Sequence, residues 1–99
     1  MNQYETMYII KSSLDEAAKA ALVEELHAII TNHDGKIDNV DDWGLREFAY
    51  EIDGMKKGYY VVVTYSVAVE GLNEFKRLLG INNNVIRDMT INLEEKAGK

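Results

Sequence analysis

Trp43-Gly44-Leu45-Arg46-Glu47-Phe48-Ala49-Tyr50-Glu51-Ile52, running on through Gly54-Met55-Lys56-Lys57-Gly58 to Tyr59-Tyr60, is the stretch on which the fold turns. Two β-rich segments meet at Gly54-Met55-Lys56-Lys57-Gly58, which has the length and composition of a hairpin tip. Aromatic and charged residues of both signs alternate along the two arms. That pattern suits a sheet with one buried face and one face left for contact. Gly44, inside an otherwise strand-like run, signals a bulge or bend.

Working outward, residues 4–10 alternate Tyr4, Thr6, Tyr8 and Ile10 with Glu5, Met7 and Ile9, the period of a strand with two usable faces. Ser13 and Glu16 then form a capping-box pair that starts a helix. Ala18, Ala21, Leu22, Leu26, Ile29 and Ile30 give that helix a core-facing stripe of about five turns. Asn32-His33-Asp34-Gly35 ends it, with Gly35 suited to the left-handed position after the last turn. Residues 36–52 and 59–69 are strand-like, the latter dense in Val and Tyr. A second helix starts at Glu70 or Gly71, carries Leu72, Phe75, Leu78 and Leu79, and closes at Gly80. Residues 85–93 supply a last strand with Val85, Met89, Ile91 and Leu93 in phase. Residues 94–99 form a polar tail.

The element order is therefore βαββαβ. The expected fold is α+β and ferredoxin-like, a four-stranded antiparallel sheet in the order 4-1-3-2 with two helices on one face. Ninety-nine residues are enough for a single domain, 1–99, and too few for two. No cysteine is present, which removes disulfides and thiolate metal sites. No apolar run approaches the roughly 20 residues of a membrane span, and the chain reads as soluble and cytoplasmic.

Eleven basic residues stand against seventeen acidic ones, a net charge of −6, the wrong sign for a protein that grips phosphate unaided. Most of the imbalance lies in residues 1–53, whereas residues 54–99 carry a small positive excess. Nucleic-acid contact would lean on the second half together with Arg46.

Catalysis finds no support, because no nucleophile elbow, phosphate-cradling glycine loop or Cys/His pair is present. His27 and His33 are six residues apart and do not share a helix face, so they read as surface or cap histidines rather than metal ligands. Asp38, Asp41 and Asp42 lack the spacing of a calcium loop and read as a solvated acidic edge. No cofactor and no small-molecule substrate are expected.

Val61, Val63, Tyr65 and Val67 form the more continuous apolar set of their strand and are assigned to the core. Tyr60 and Val62 then face away from the helices, joined by Met7 and Ile9 if Tyr4, Thr6, Tyr8 and Ile10 point inward. An exposed strip of Met7, Ile9, Tyr60 and Val62 on a small domain marks a protein-binding surface. Arg46, Lys56, Lys57 and Arg87 are the basic residues best placed to reach a phosphate backbone, with Lys76 and Arg77 as further basic residues.

The 43–60 segment also resembles the signature of the bacterial small-subunit ribosomal protein six family. Gly44, Arg46, a large apolar Phe48, Ala49-Tyr50 and Ile52 follow its order, and Gly58-Tyr59-Tyr60 opens the next strand as in that family. Tyr4-Glu5, Leu14-Asp15 and Asn84-Val85-Ile86-Arg87 extend the resemblance over the whole chain. It implies a structural constituent of the small ribosomal subunit, a ribonucleoprotein component of translation. Such a protein binds the central domain of small-subunit ribosomal RNA together with small-subunit ribosomal protein eighteen. Phe48 stands where the family signature favours Leu, and Glu51 stands in place of a common proline. Asp53, Asn2 and Gln3 remove positive charge from the side expected to meet RNA. A rival reading from the fold alone is a regulatory domain that senses a small molecule and dimerises through its sheet.

Overall fold

The computed structural model describes residues 2–52 and 54–93. The expected tail at 94–99 lies outside them. The elements are β1 (Asn2–Lys11), α1 (Glu16–Asn32), β2 (Lys36–Ile52), β3 (Met55–Val67), α2 (Val69–Ile81) and β4 (Val85–Asn92). The strands form one antiparallel sheet in the order β2-β3-β1-β4, the ferredoxin-like arrangement.

β1 and β3 hold the centre, paired from Asn2↔Val67 to Lys11↔Gly58 without a break. Side chains alternate across a strand, so this register places Tyr4, Thr6, Tyr8 and Ile10 on the same side as Val61, Val63, Tyr65 and Val67. All eight are buried, and they pack on Leu22, Leu26 and Ile30 of α1 and Phe75 and Leu79 of α2. Each aliphatic or aromatic side chain so enclosed contributes about 1.5–3 kcal/mol from lost water contact.

Three polar side chains enter this core, each with its hydrogen bonds met. Thr6 Oγ1 lies 2.7 Å from the Tyr65 hydroxyl and 2.8 Å from Thr90 Oγ1. The Tyr8 hydroxyl lies 2.9 Å from His27 Nε2. Burial raises the pKa of the Tyr8 and Tyr65 hydroxyls above the ordinary tyrosine value, so both stay protonated. His27 is thus no surface histidine. Burial pushes its imidazole below the usual value. His33 does cap α1, its Nδ1 lying 2.9 Å from the Ile29 carbonyl oxygen.

The helix ends differ from expectation in instructive ways. α1 begins two residues later than a Ser13 cap requires: Asp15 is the N-cap, and its Oδ1 accepts the Ala18 N–H at 2.8 Å. A carboxylate serves this position at least as well as a hydroxyl and adds favourable charge at the positive helix end. At the other end Asp34, not Gly35, takes the left-handed conformation, with φ 61°. The Gly35 and Asp34 N–H groups donate to the Ile30 and Thr31 carbonyls, a closed Schellman turn. Gly35 is required for space instead, because a Cβ there would lie 2.7 Å from Ile30 Cγ2 and 2.8 Å from Val67 Cγ2.

α2 starts at Val69 and runs through Gly80 to Ile81, so β3 stops at Val67, short of the expected 69. The β2–β3 connection is tighter than a five-residue tip. Ile52 pairs with Met55 and Gly54 has φ 80°, the geometry that favours glycine in a two-residue link. Lys56 and Lys57 consequently lie within β3 rather than at the tip.

Replacing Asp15 by Ala should lower unfolding stability by about 1 kcal/mol in urea titration, while Ser13→Ala should stay within about 0.5 kcal/mol. The lowered His27 pKa also sets a pH dependence. The unfolded chain protonates this histidine near its ordinary value of about 6.5, and the folded chain only at lower pH. The urea midpoint should therefore fall as pH drops below about 6.5 and level off beneath the folded pKa, a slope that His27→Gln should reduce.

Candidate interaction face

The sheet side away from the helices is built outward from Gly44. Pairing shifts register between Asp42 and Gly44, so Trp43 is an extra residue on β2. Gly44 has φ 77°, and its N–H donates to Asp42 Oδ1 at 2.9 Å, closing the bulge. This turns the indole of Trp43 onto the open face. There it stacks on Tyr60, with centroids 6.1 Å apart and planes 5° from parallel. Phe48 meets the same Tyr60 ring at 6.0 Å, tilted by 55°.

Phe48 can lie there because Gly58 has no side chain. A Cβ at Gly58 would lie 2.6 Å from Ile9 Cγ2 and 3.2 Å from Phe48 Cζ. Ile9, opposite Tyr60 on β1, is consequently only 3% exposed. It forms the floor of the aromatic cluster rather than a contact surface of its own.

Two arginines flank the strip. The Arg46 guanidinium carbon sits 6.0 Å from the Trp43 ring centre, and its Nε donates to the Trp43 carbonyl at 3.2 Å. Arg87 on β4 pairs opposite Ile9 and, with Met7, Ile9, Asp88 and Met89, lines a depression of about 330 Å³. Among the described residues neither arginine has a carboxylate partner. Arg77, by contrast, lies on α2 and is held by Glu74 through Nε at 3.0 Å and Nη2 at 2.8 Å.

The sequence-derived residues thus fall largely on one surface. Met7, Ile9, Tyr60 and Val62 share the open side, as do Arg46 and Arg87, and Lys56 shares the strand parity of Tyr60. Lys57 points to the other side, opposite Glu47. Residues expected to meet RNA and residues expected to meet a protein are therefore neighbours, not two separate regions.

Trp43, Phe48, Met89 and Ile91 belong to this face and were not among the expected contact residues. Trp43 is turned by the bulge. Met89 and Ile91 are turned by the irregular pairing at Ile9/Ile10, which puts Val85 against the core and Met89, 58% exposed, beside Met7. The single phase expected for Val85, Met89 and Ile91 is therefore broken at Ile86. Gly44 marked its bulge in the sequence, while β4 holds no such marker.

Tyr60 is no open platform for a base, since Trp43 covers its ring. Among the described residues no three His, Asp or Glu side chains converge as metal ligands, and no helix is long and apolar enough to cross a membrane.

The sequence profile of ribosomal protein S6 matches residues 3–92. The chain belongs to the ribosomal protein S6 family. The crystal structure of 30S ribosomal protein S6 from Thermotoga maritima is similar throughout, with a TM-score of 0.87 and 32% identity over 99% of this chain and 98% of that one. Family membership gives the chain a structural role in the small ribosomal subunit, in a family that is non-enzymatic. It also replaces the regulatory-domain reading, which rested on the fold alone.

Trp43 is the sole tryptophan, so its fluorescence reports on the cluster. Tyr60→Ala should shift Trp43 emission to the red and raise its acrylamide quenching. The loss of stability should be about 1–3 kcal/mol by urea titration, because the ring is half-buried.

Proposed function

We propose that the open sheet face packs against small-subunit ribosomal protein eighteen, and that the pair binds the central domain of small-subunit ribosomal RNA in the cytoplasm. In this arrangement Met7, Val62, Tyr60 and Met89 form the protein contact, supported from below by Ile9. Arg46 and Arg87 at its two margins, with Lys56 and Lys57 on the projecting β2–β3 arm, contact phosphate.

The observation that carries this reading is the pair of arginines, without carboxylate partners among the described residues, on either side of a half-exposed apolar strip. Apolar strips of this kind are covered by protein, while unpaired guanidiniums suit phosphate. The net charge of −6 requires that the partner supply most of the positive field. This chain then acts as the scaffold of the pair, and its arginines set orientation rather than overall affinity.

Reconstitution with the basic partner and a ribosomal RNA fragment separates the two roles. Met89→Glu should weaken association of the two proteins by tenfold or more, about 1.4 kcal/mol. Arg46→Glu and Arg87→Glu should leave that association nearly unchanged but lower RNA affinity and reduce the salt slope by about one unit each. Tight binding of the RNA fragment by this chain alone at physiological salt would refute the partner-dependent account.

A further inference from the structure

On the helix side of the sheet, α1 and the outer strand β2 diverge and leave a groove of about 580 Å³. Ala20 and Val23 line the α1 wall, and Ile37 and Val40 line the β2 wall. Val40 lies opposite the fully buried Val63 on the core-facing side, yet it is 44% exposed. The helix does not reach far enough to cover it.

β2 is also the border of the sheet. It pairs with β3 on one side, and among the described residues no strand pairs with its other side. Along residues 36–42, with one irregularity between Ile37 and Asn39, backbone N–H and C=O groups therefore face outward beside the groove, a template for one more strand. A strand added there would run about 4.8 Å from β2, and seven residues would span about 23 Å.

Carboxylates outnumber cations around the groove. Glu16, Glu24 and Asp42 line it, while Asp38, bonded to Gln3 and Ser66, and Asp41, opposite Val62, project from the other side of the same edge. Lys19, the lysine in the lining, is 7% exposed and bound to Asp42 at 2.8 Å, with its ammonium 4.7 Å over the Tyr59 ring. That ion pair closes one end of the groove and holds the Asp42 carboxyl below the usual carboxylate range. Lys36, opposite Ser66 on the open side, is exposed and lies 4.0 Å from Asp38.

We propose that this groove takes an extended, basic segment of a partner protein, added as a fifth strand beside β2. Its alternate aliphatic side chains pack over Val23 and Val40, and its lysines or arginines, which point to the other side of the added strand, lie on the side of Asp38 and Asp41. Backbone pairing supplies affinity and the alternating side chains supply selectivity. A nucleic-acid strand fits poorly, because its phosphates would meet these carboxylates. The site lies at the β2 edge and does not depend on the role proposed for the open sheet face.

The test uses the full chain and a capped nine-residue peptide of alternating lysine and valine, followed by amide chemical shifts in NMR. The largest shifts should fall on residues 36–42 and on Ala20 and Val23. Alternate N-methylation of the peptide backbone should weaken binding by about tenfold or more, as should Val40→Lys. Asp41→Lys, at an exposed strand position, provides a second variant that should also weaken it. A glutamate-valine peptide should not bind. Shifts centred on Tyr60 and Met89, equal binding of the N-methylated peptide, competition by an oligouridylate, or no shifts at about 1 mM peptide would each overturn the proposal.

Discussion

The register between β1 and β3 is the constraint on which the rest of the molecule depends, because strand side chains alternate with a period of two. With Tyr8 opposite Val61 and Met7 opposite Val62, one side of the central ladder carries the whole core and the other carries the contact face. A slip of β1 by one residue would turn its side chains over, exposing Tyr8 and Ile10 and burying Glu5 and Lys11. The Thr6–Tyr65–Thr90 cluster fixes the register further. Its hydroxyls are buried and mutually satisfied only in this pairing, and a slip would leave them without partners at a cost of about 1–3 kcal/mol each.

Alternation is what made the centre of the fold legible. Val61, Val63, Tyr65 and Val67 announce a buried face, and the helix stripes ending in Ile30 and Leu79 announce what covers it. The assignment of Thr6 and Tyr8 was harder to read, because a hydroxyl in a core depends on partners distant in sequence: Thr90 for one and His27 for the other. Helix ends were readable to within a residue or two. Ser13 and Asp15 both offer an N-cap oxygen, and only the path of the chain after β1 selects the second.

What escaped the sequence were the breaks in alternation. A bulge shifts every following side chain to the other face, and periodicity read through it assigns those residues wrongly. Gly44 gave warning of its own bulge but not of its consequence, that Trp43 would stack beside Tyr60. The irregularity opposite Ile9 and Ile10 had no glycine to mark it, so Met89 and Ile91 came to the open face unforeseen. Ile9 was misread as a contact residue for a related reason. Its face was correct, but Phe48 reaches over it from a strand two positions away, through space left by Gly58.

The Gly44 bulge also ties together the two surfaces of the molecule. On its N-terminal side Asp42 keeps to the helix side, where it meets Lys19 and closes the end of the α1–β2 groove. The extra residue, Trp43, crosses to the open side and carries Arg46 with it as a ring neighbour. Asp42 further accepts the Gly44 N–H, so one carboxylate anchors both the groove and the turn that builds the aromatic cluster. Nothing lies within 4 Å of where a Gly44 side chain would begin, so the glycine is held there by its φ of 77° and not by space. An L-residue in that conformation costs about 1–2 kcal/mol. The strain would fall on the junction between groove and face, which the strand can relieve only by giving up the bulge and with it the placement of Trp43 over Tyr60.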